Sequence, residues 1–363
     1  MKYVDEFRSP KLVNKIAAKI NAINPGDKIN IMEVCGTHTQ NFYRFGLDEL
    51  LPKNIRLISG PGCPVCVSPQ GYIDNAIELA KNKDVIIATF GDMLRIPGSR
   101  SSLEKQKAET GNIRVVYSPL DAVTLATANP GKKIVFLAVG FETTSPTIAL
   151  SAIIAKNKRL KNLYFLSSLK LIPPAMRYLL LDKRLKLDAF LCPGHVSAII
   201  GTKPYGFIPK KYKIACCVAG FEPVDILEGI CMILEQIIIK RPCVANQYAR
   251  VVAQAGNPDA RKIINRVFKV CDSDWRGFGV IPESGLELRK EFANFNAEKI
   301  FPISLKIKSK PDKACRCADV LKGLISPSEC QLFGKKCSPD NPVGPCMVSS
   351  EGACNAHYKF RRG

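Results

Sequence analysis

The chain has 363 residues, 46% of them apolar, with 53 Lys and Arg against 32 Asp and Glu for a formal charge of +21. This length exceeds one compact core and predicts two or three domains, and the apolar content does not limit burial. No apolar run approaches the length of a membrane span, which excludes a transmembrane chain as the expectation.

The opening, MKYVDEFRSPKLVNKIAAKI, is charged and reads as an amphipathic helix rather than a secretory leader, so the expected location is cytoplasmic. Strand candidates follow at 29–34, 55–59, 84–90, 113–118, 133–140, 162–168, 189–194 and 213–220. Each is a continuous apolar run, which suits a parallel sheet covered on both faces. Helical stretches such as 72–82 and 145–157 lie between them, giving an α/β class. After residue 240 the alternation stops. Residues 247–272 read as one or two helices around the Gly256-Asn257-Pro258 break, and GVIPESGLEL places Glu283 and Ser284 in a turn. The expected division is 1–128 and 129–240 for two α/β domains, and 241–363 for a helical segment and a cysteine-rich end.

Basic groups recur at 156–161, 209–213, 306–313 and in the terminal KFRRG. They suit an acidic partner surface. No zinc-finger, helix-turn-helix or RNP pattern accompanies them, and no nucleic-acid partner is expected.

Fifteen cysteines in a reducing compartment read as ligands, redox thiols or small hydrophobes rather than structural disulfides. Cys192, Cys216, Cys217, Cys231, Cys243 and Cys271 read as core packing. Cys35 directly follows a strand, and His38 lies three residues on in EVCGTHTQ. Thiol and imidazole at this spacing serve as nucleophile and base, or as two ligands of one metal. SGPGCPVCVSP sets Cys63 and Cys66 two residues apart in a loop stiffened by Gly and Pro. That pair suits a redox dithiol, with a zinc knuckle completed from afar as the rival. VGFETT and AGFEP each set Gly-Phe-Glu after an apolar strand, bringing in Glu142, with FGDML as a weaker relative. Ligands bind outside the carboxyl ends of parallel strands, where these segments sit, although a plain strand-to-helix turn is the more ordinary explanation. His195 in PGHVS follows another strand.

The last 49 residues hold Cys315, Cys317, Cys330, Cys337, Cys346 and Cys354 among many Gly and Pro. So turn-rich a segment needs a metal or covalent staple, and thiolates with little histidine suit an iron–sulfur cluster or zinc. Spacing alone does not choose four of the six.

CGTHT, GPGCPVC, FGDMLRIPG, VGFETT, PGHVSAIIG, VAGFEP, FGVIPESGL and GPCMVSSEGACNAHY, in that order, resemble the signature segments of the HypD family of nickel–iron hydrogenase maturation factors. The resemblance covers about residues 30–358. It implies two related parallel-sheet α/β domains with a small C-terminal [4Fe–4S] domain. It also implies a metal-centre assembly scaffold with redox activity. The expected partner is HypC, the cyanide donor is HypE supplied by HypF, and the hydrogenase large subunit receives the finished iron carrying two cyanides and one carbonyl. On this chain the resemblance makes Cys35 the thiolate that holds the guest iron, with His38 beside it. Cys63 and Cys66 become the redox pair. By analogy with ferredoxin–thioredoxin reductase, Cys315, Cys330, Cys337 and Cys354 hold the cluster while Cys317 and Cys346 form a nearby redox pair; Cys346 in place of Cys354 is the alternative. Glu142, Thr143, His195 and Glu283 fall on family motifs at the domain interface. A stand-alone cluster-dependent disulfide reductase is the competing function.

Overall fold

The computed structural model describes residues 5–301 and 314–361. The basic run 306–313 and the end of KFRRG lie outside them. Among the described residues the strands are β1 (Ile29–Glu33), β2 (Ile55–Ser59), β3 (Val85–Thr89), β4 (Ile113–Val115), β5 (Lys133–Gly140), β6 (Leu163–Lys170), β7 (Ala189–Pro193), β8 (Ala215–Ala219), β9 (Val244–Asn246), β10 (Phe268–Trp275) and β11 (Gly279–Leu288).

They form two sheets. The first, in the order β2-β1-β7-β8-β9, is parallel throughout. The second has the order β10-β11-β6-β5-β3-β4, with β3 to β6 parallel and the β10–β11 hairpin antiparallel at one side. β1, β3, β7 and β8 are buried at every residue, which accounts for their unbroken apolar runs. Neither sheet follows the expected division at residue 128, because each draws strands from both sides of it.

One apolar core runs between the sheets and takes in Leu321, Met347 and Ala353 of the cysteine-rich segment, while two further cores cover the outer faces. The opening helix Pro10–Ala22 starts at Pro10, the position where a missing N–H is harmless, and buries Val13, Ala17 and Ile20 against the helix Pro223–Ile238. Cys192, Cys216, Cys217 and Cys231 are core residues as expected, whereas Cys243 is exposed and Cys271 only partly covered.

The region after residue 240 departs from its reading. The helix Pro258–Val267 forms, but residues 247–251 make turns and Lys269–Cys271 belong to β10. Glu283 and Ser284 lie within β11, not in a connecting turn. Pro282 and Gly285 gave this strand the look of a turn. The strand tolerates them through a bulge: the register shifts between Cys271 and Ser273, and Glu283 takes a φ of 54°.

Candidate metal and thiol centre

Both sheets reverse their strand order, and the motifs gather where they do. In the first sheet the reversal lies between β1 and β7, so Cys35 and the junction at Pro193, where β7 gives way to the helix Gly194–Ile200 that carries His195, sit side by side at the carboxyl edge. In the second it lies between β3 and β5, bringing together the loops that carry Asp92 and Glu142. Such points leave a crevice because neighbouring connections run to opposite faces.

Cys35 is buried at the end of β1, where the helix Gly36–Arg44 begins. Burial first, then the charges of Glu351 and Glu33, pushes its thiol up to about 12. Glu33 is 1% exposed. Its carboxylate accepts the Cys35 N–H at 3.2 Å and the Thr39 hydroxyl, yet burial lifts it to about 8. Thiol and carboxyl are therefore neutral at pH 7.

His38 is fully buried. Its Nε2 lies 2.8 Å from the Gly220 carbonyl, which only accepts, so Nε2 carries the hydrogen and Nδ1 keeps a lone pair with no partner among the described residues. Burial lowers its pKa to about 4. Phe221 is stacked between two imidazoles, with centroids 4.8 Å from His38 and 3.8 Å from His195. His195 itself is exposed. The CGTHT, PGHVS and AGFEP motifs thus form one ring-stacked unit on three adjacent strands.

The GPGCPVC loop follows β2 and closes on the same edge. Gly62 accepts the Gly36 N–H at 3.1 Å, and a Cβ on Gly62 would stand 2.3 Å from the Cys35 nitrogen, so only glycine lets the loops meet. Cys63 and Cys66 are both buried with sulfurs 2.7 Å apart. Burial, followed by the hydrogen bond with Cys63, raises the Cys66 thiol. The Cys66 sulfur also lies 3.7 Å from the Pro345 carbonyl of the C-terminal segment.

That segment joins the pieces. Cys317 and Cys346 form a disulfide with Cα atoms 6.4 Å apart. The Ser349 hydroxyl donates to Asp92 at 3.0 Å, at the second sheet's reversal, and Thr37 donates to Glu351 at 2.7 Å, at the first. Gly36 presses against Glu351, where a Cβ would lie 2.4 Å from its carbonyl.

Cys315, Cys330, Cys337 and Cys354 line one cavity with Leu332, Phe333 and Met347. Burial raises the Cys354 thiol, and the charges of Cys315, Cys337 and Cys330 raise it further. The Val343 N–H points to the Cys337 sulfur at 3.4 Å, as at cluster thiolates. A Cβ on Gly344 would reach within 2.6 Å of the Cys315 sulfur. Among the described residues no three His, Cys, Asp or Glu groups are arranged to hold a single ion. Four thiols lining one cavity are the donor type that an iron–sulfur cluster would take, one thiolate to each iron.

Glu142 and Glu283 part company. Glu142 is buried and accepts the Ile172 N–H at 3.0 Å, with Oε2 unpartnered and its pKa raised by burial to about 7. Glu283 is exposed, its N–H donating to Asp272, while the buried Ser284 accepts from Trp275 Nε1 at 2.8 Å. Trp275 stacks on Phe141 of GFETT. The sequence reading missed Glu33, Asp92, Phe221 and Glu351. Glu351 had a signal, lying between Cys346 and Cys354, whereas Glu33 reads as the ordinary end of a strand.

No helix among the described residues is long and apolar enough to cross a membrane. A family model described as HypD, hydrogenase formation hypA family, matches residues 11–361. The chain is 45% identical over 370 residues to the hydrogenase maturation factor HypD of Azotobacter vinelandii, covering all of this chain and 97% of that protein. It is 44% identical over 374 residues to HypD of Escherichia coli, covering all of this chain and 99% of the relative. A putative hydrogenase expression/formation protein of Methanocaldococcus jannaschii is 47% identical over 350 residues, 96% of this chain and 95% of that one. On this evidence the chain belongs to the HypD family of hydrogenase maturation factors.

Proposed function

We propose that this cytoplasmic chain is the scaffold on which an iron ion receives its cyanide and carbonyl ligands, in partnership with HypC, before transfer to the hydrogenase large subunit. Cys35 holds the guest iron. Low-spin iron with strong-field ligands suits a soft thiolate, which also suits later handover to another thiol. Glu33 takes part through the Cys35 N–H and gives up its own proton when positive charge arrives. His38 ties the Cys35 loop to β8 and offers Nδ1 as a proton acceptor.

Cyanide delivered as a thiocyanate by HypE, fed by HypF, must be released reductively. R–S–CN takes two electrons and one proton to give R–SH and cyanide. Cys63 and Cys66 supply them by closing to a disulfide, which releases two electrons and two protons; one proton goes to R–S⁻ and the other leaves to solvent. A [4Fe–4S] cluster held by Cys315, Cys330, Cys337 and Cys354 supplies one-electron reducing equivalents, drawn from an external one-electron donor. Cys317 and Cys346 line the same cavity, and Cys346 follows Pro345, whose carbonyl lies against Cys66.

One observation carries this reading. Residues 345–354 reach every thiol site: Pro345 touches Cys66, Cys346 bonds Cys317, Glu351 meets the Cys35 helix and Cys354 enters the sulfur cavity.

The test is anaerobic purification together with the small partner. The expected product is brown, with about four cluster irons and four sulfides per chain, and shows infrared bands of metal-bound cyanide and carbonyl. Brown protein that never shows those bands, even with the cyanide donors present, would overturn the scaffold reading.

A further inference from the structure

β2 is the outer strand of the first sheet, and its far side meets no other strand among the described residues. Its ladder with β1 is parallel, and the Asn54 carbonyl and the Gly60 N–H both turn toward β1, to Ile29 and Glu33. Along such a strand the residues alternate in the side they serve. Leu57 and Ser59 therefore direct N–H and C=O outward, where these groups have no hydrogen-bond partner among the described residues. Ile55 also faces outward, but its N–H is closed by the Pro52 carbonyl at 2.9 Å. The edge lies between two layers. On one face Ile55 and Leu57 pack with Leu47 and Leu51. On the other, Ile58 packs with Val320 and Leu321, and a Cβ on Gly323 would stand 2.6 Å from it. Both layers also line a groove of about 1070 Å³ that follows all five residues of β2.

The groove is cationic. Lys28, Lys53, Arg56 and Lys186 line it and form no ion pair among the described residues. Arg184 and Arg361 are matched by Asp182 and Asp48, and Glu329 is occupied by the Ser326 N–H at 2.6 Å. His357 lines the same groove, edge-on to Tyr43 and Phe333, and its buried Nδ1 has no partner among the described residues. We propose that this groove takes an extended acidic segment of a protein partner, which adds to β2 as a further strand. Its backbone completes the bonds of Leu57 and Ser59, and its carboxylates meet the unpaired cations. Strands pair at about 4.8 Å, so a slot between two layers admits one chain. It shuts out the edge of a second sheet, whose own covering layers would collide, and the β2 of a second copy is sunk in the same way. Alternating donors and acceptors match a peptide backbone, whereas the phosphates of a nucleic acid only accept. Val320 and Phe333 line both this groove and the sulfur cavity, so the guest lies against the outer wall of the thiol site. This binding needs no cluster, so it is tested separately from the scaffold reading.

The probe is a short fluorescein-labelled peptide of alternating Glu and Val, added to the full-length protein. It should bind saturably and slow amide hydrogen exchange at Leu57 and Ser59. Replacing Lys53 and Arg56 together by Gln should weaken binding about tenfold, the usual worth of two exposed charge contacts. Leu57→Pro removes an outward N–H and spares the ladder with β1, so it should also weaken binding. The same peptide methylated at every backbone nitrogen covers the case in which L57P fails to fold. It keeps the charge, loses the N–H donors and should leave exchange at Leu57 and Ser59 of the wild-type protein unchanged. Absence of saturable binding overturns the proposal. Equal binding by a Lys-Val peptide or by the methylated peptide overturns it too. Inorganic polyphosphate that protects Leu57 and Ser59 as well as the Glu-Val peptide does would make the groove a plain anion site. A dimer in sedimentation that the peptide dissociates would give the groove to a second copy. Either result also overturns the proposal.

Discussion

The two sheets place related loops at their reversal points, and the two Gly-Phe-Glu segments make the comparison direct. After β8, Phe221 is packed between His38 and His195, while Glu222 caps the helix Pro223–Ile238 and pairs with Arg8 near the surface. After β5, Phe141 stacks on Trp275 at 6.0 Å, and Glu142 is buried on the Ile172 N–H. The shared part is the glycine and an aromatic anchor. Gly140 and Gly220 both sit where a Cβ would collide, with Thr144 at 2.5 Å and with Asp225 at 2.3 Å. What differs is the acid. The first sheet's edge adds a thiol and two imidazoles to its carboxyls, the second's carries carboxyls without them, and the turn holding Ser349 and Glu351 ties one to the other. A repeated motif here repeats a packing device and not a chemical role.

The largest expected effect separates the front thiol from the tail. Cys35→Ala should abolish the cyanide and carbonyl infrared bands while leaving the brown cluster at full iron content. Loss of the cluster with retained bands would mean the two sites are exchanged. The reverse change is Gly344→Ala. Its φ of −121° is open to alanine, so the harm comes from a Cβ placed 2.6 Å from the Cys315 sulfur. Iron and sulfide should fall to less than half, with circular dichroism near that of the wild type. Full cluster loading in G344A would contradict the cavity as the cluster site.

Much of this was readable from the chain. Burial on both faces leaves strands no polar alternation, so β1, β3, β5 to β8 stand out as apolar runs. Cys35, Cys63 and Cys66 stand out because thiols in Gly- and Pro-stiffened loops have few other uses. The hairpin β10–β11 was hidden by Pro282 and Gly285, which signal a turn unless a bulge absorbs them. Adjacency was hidden more deeply. β1 lies beside β7, some 160 residues later, and periodicity within a strand says nothing about such an order. For that reason Phe221 read as a generic turn residue, although it forms the wall between two histidines.

The phenylalanines sharpen the comparison at the next level of effect. Phe221→Ala and Phe141→Ala should each cost about 3 kcal/mol or more in urea denaturation, the usual range for a buried aromatic. Only F221A should reach His38. The native pKa of His38, near 4, is below its ordinary 6.5, so its contribution to stability is present above pH 6.5 and is lost as pH falls through about 4. At pH 5 that loss is about 2 kcal/mol. Water admitted by F221A should raise the His38 pKa, seen by NMR, and reduce this acid-side loss. F141A should leave the His38 titration unchanged.

The smallest effects test the two acids of the repeated segment against each other. Burial raises Glu142 from 4.5 to about 7. A raised carboxyl contributes stability that is complete below its unfolded pKa and lost as pH rises through the folded one. Wild-type protein should therefore weaken between about pH 4.5 and 7 from this residue, by about 3 kcal/mol once the shift is fully expressed. Glu142→Gln cannot ionise and keeps an oxygen for the Ile172 N–H. Its urea midpoint should exceed the wild-type midpoint at pH 8, and the gap should close near pH 4.5. Glu222 faces Arg8 across a half-exposed surface, its side chain 18% accessible and that of Arg8 47%. Exposed pairs of this kind contribute little, so Glu222→Gln should lower stability only slightly at pH 8, opposite in sign to E142Q. If both substitutions moved the midpoint the same way, the two acids would share one role, and the division between anchor and acid drawn from the two sheets would fail.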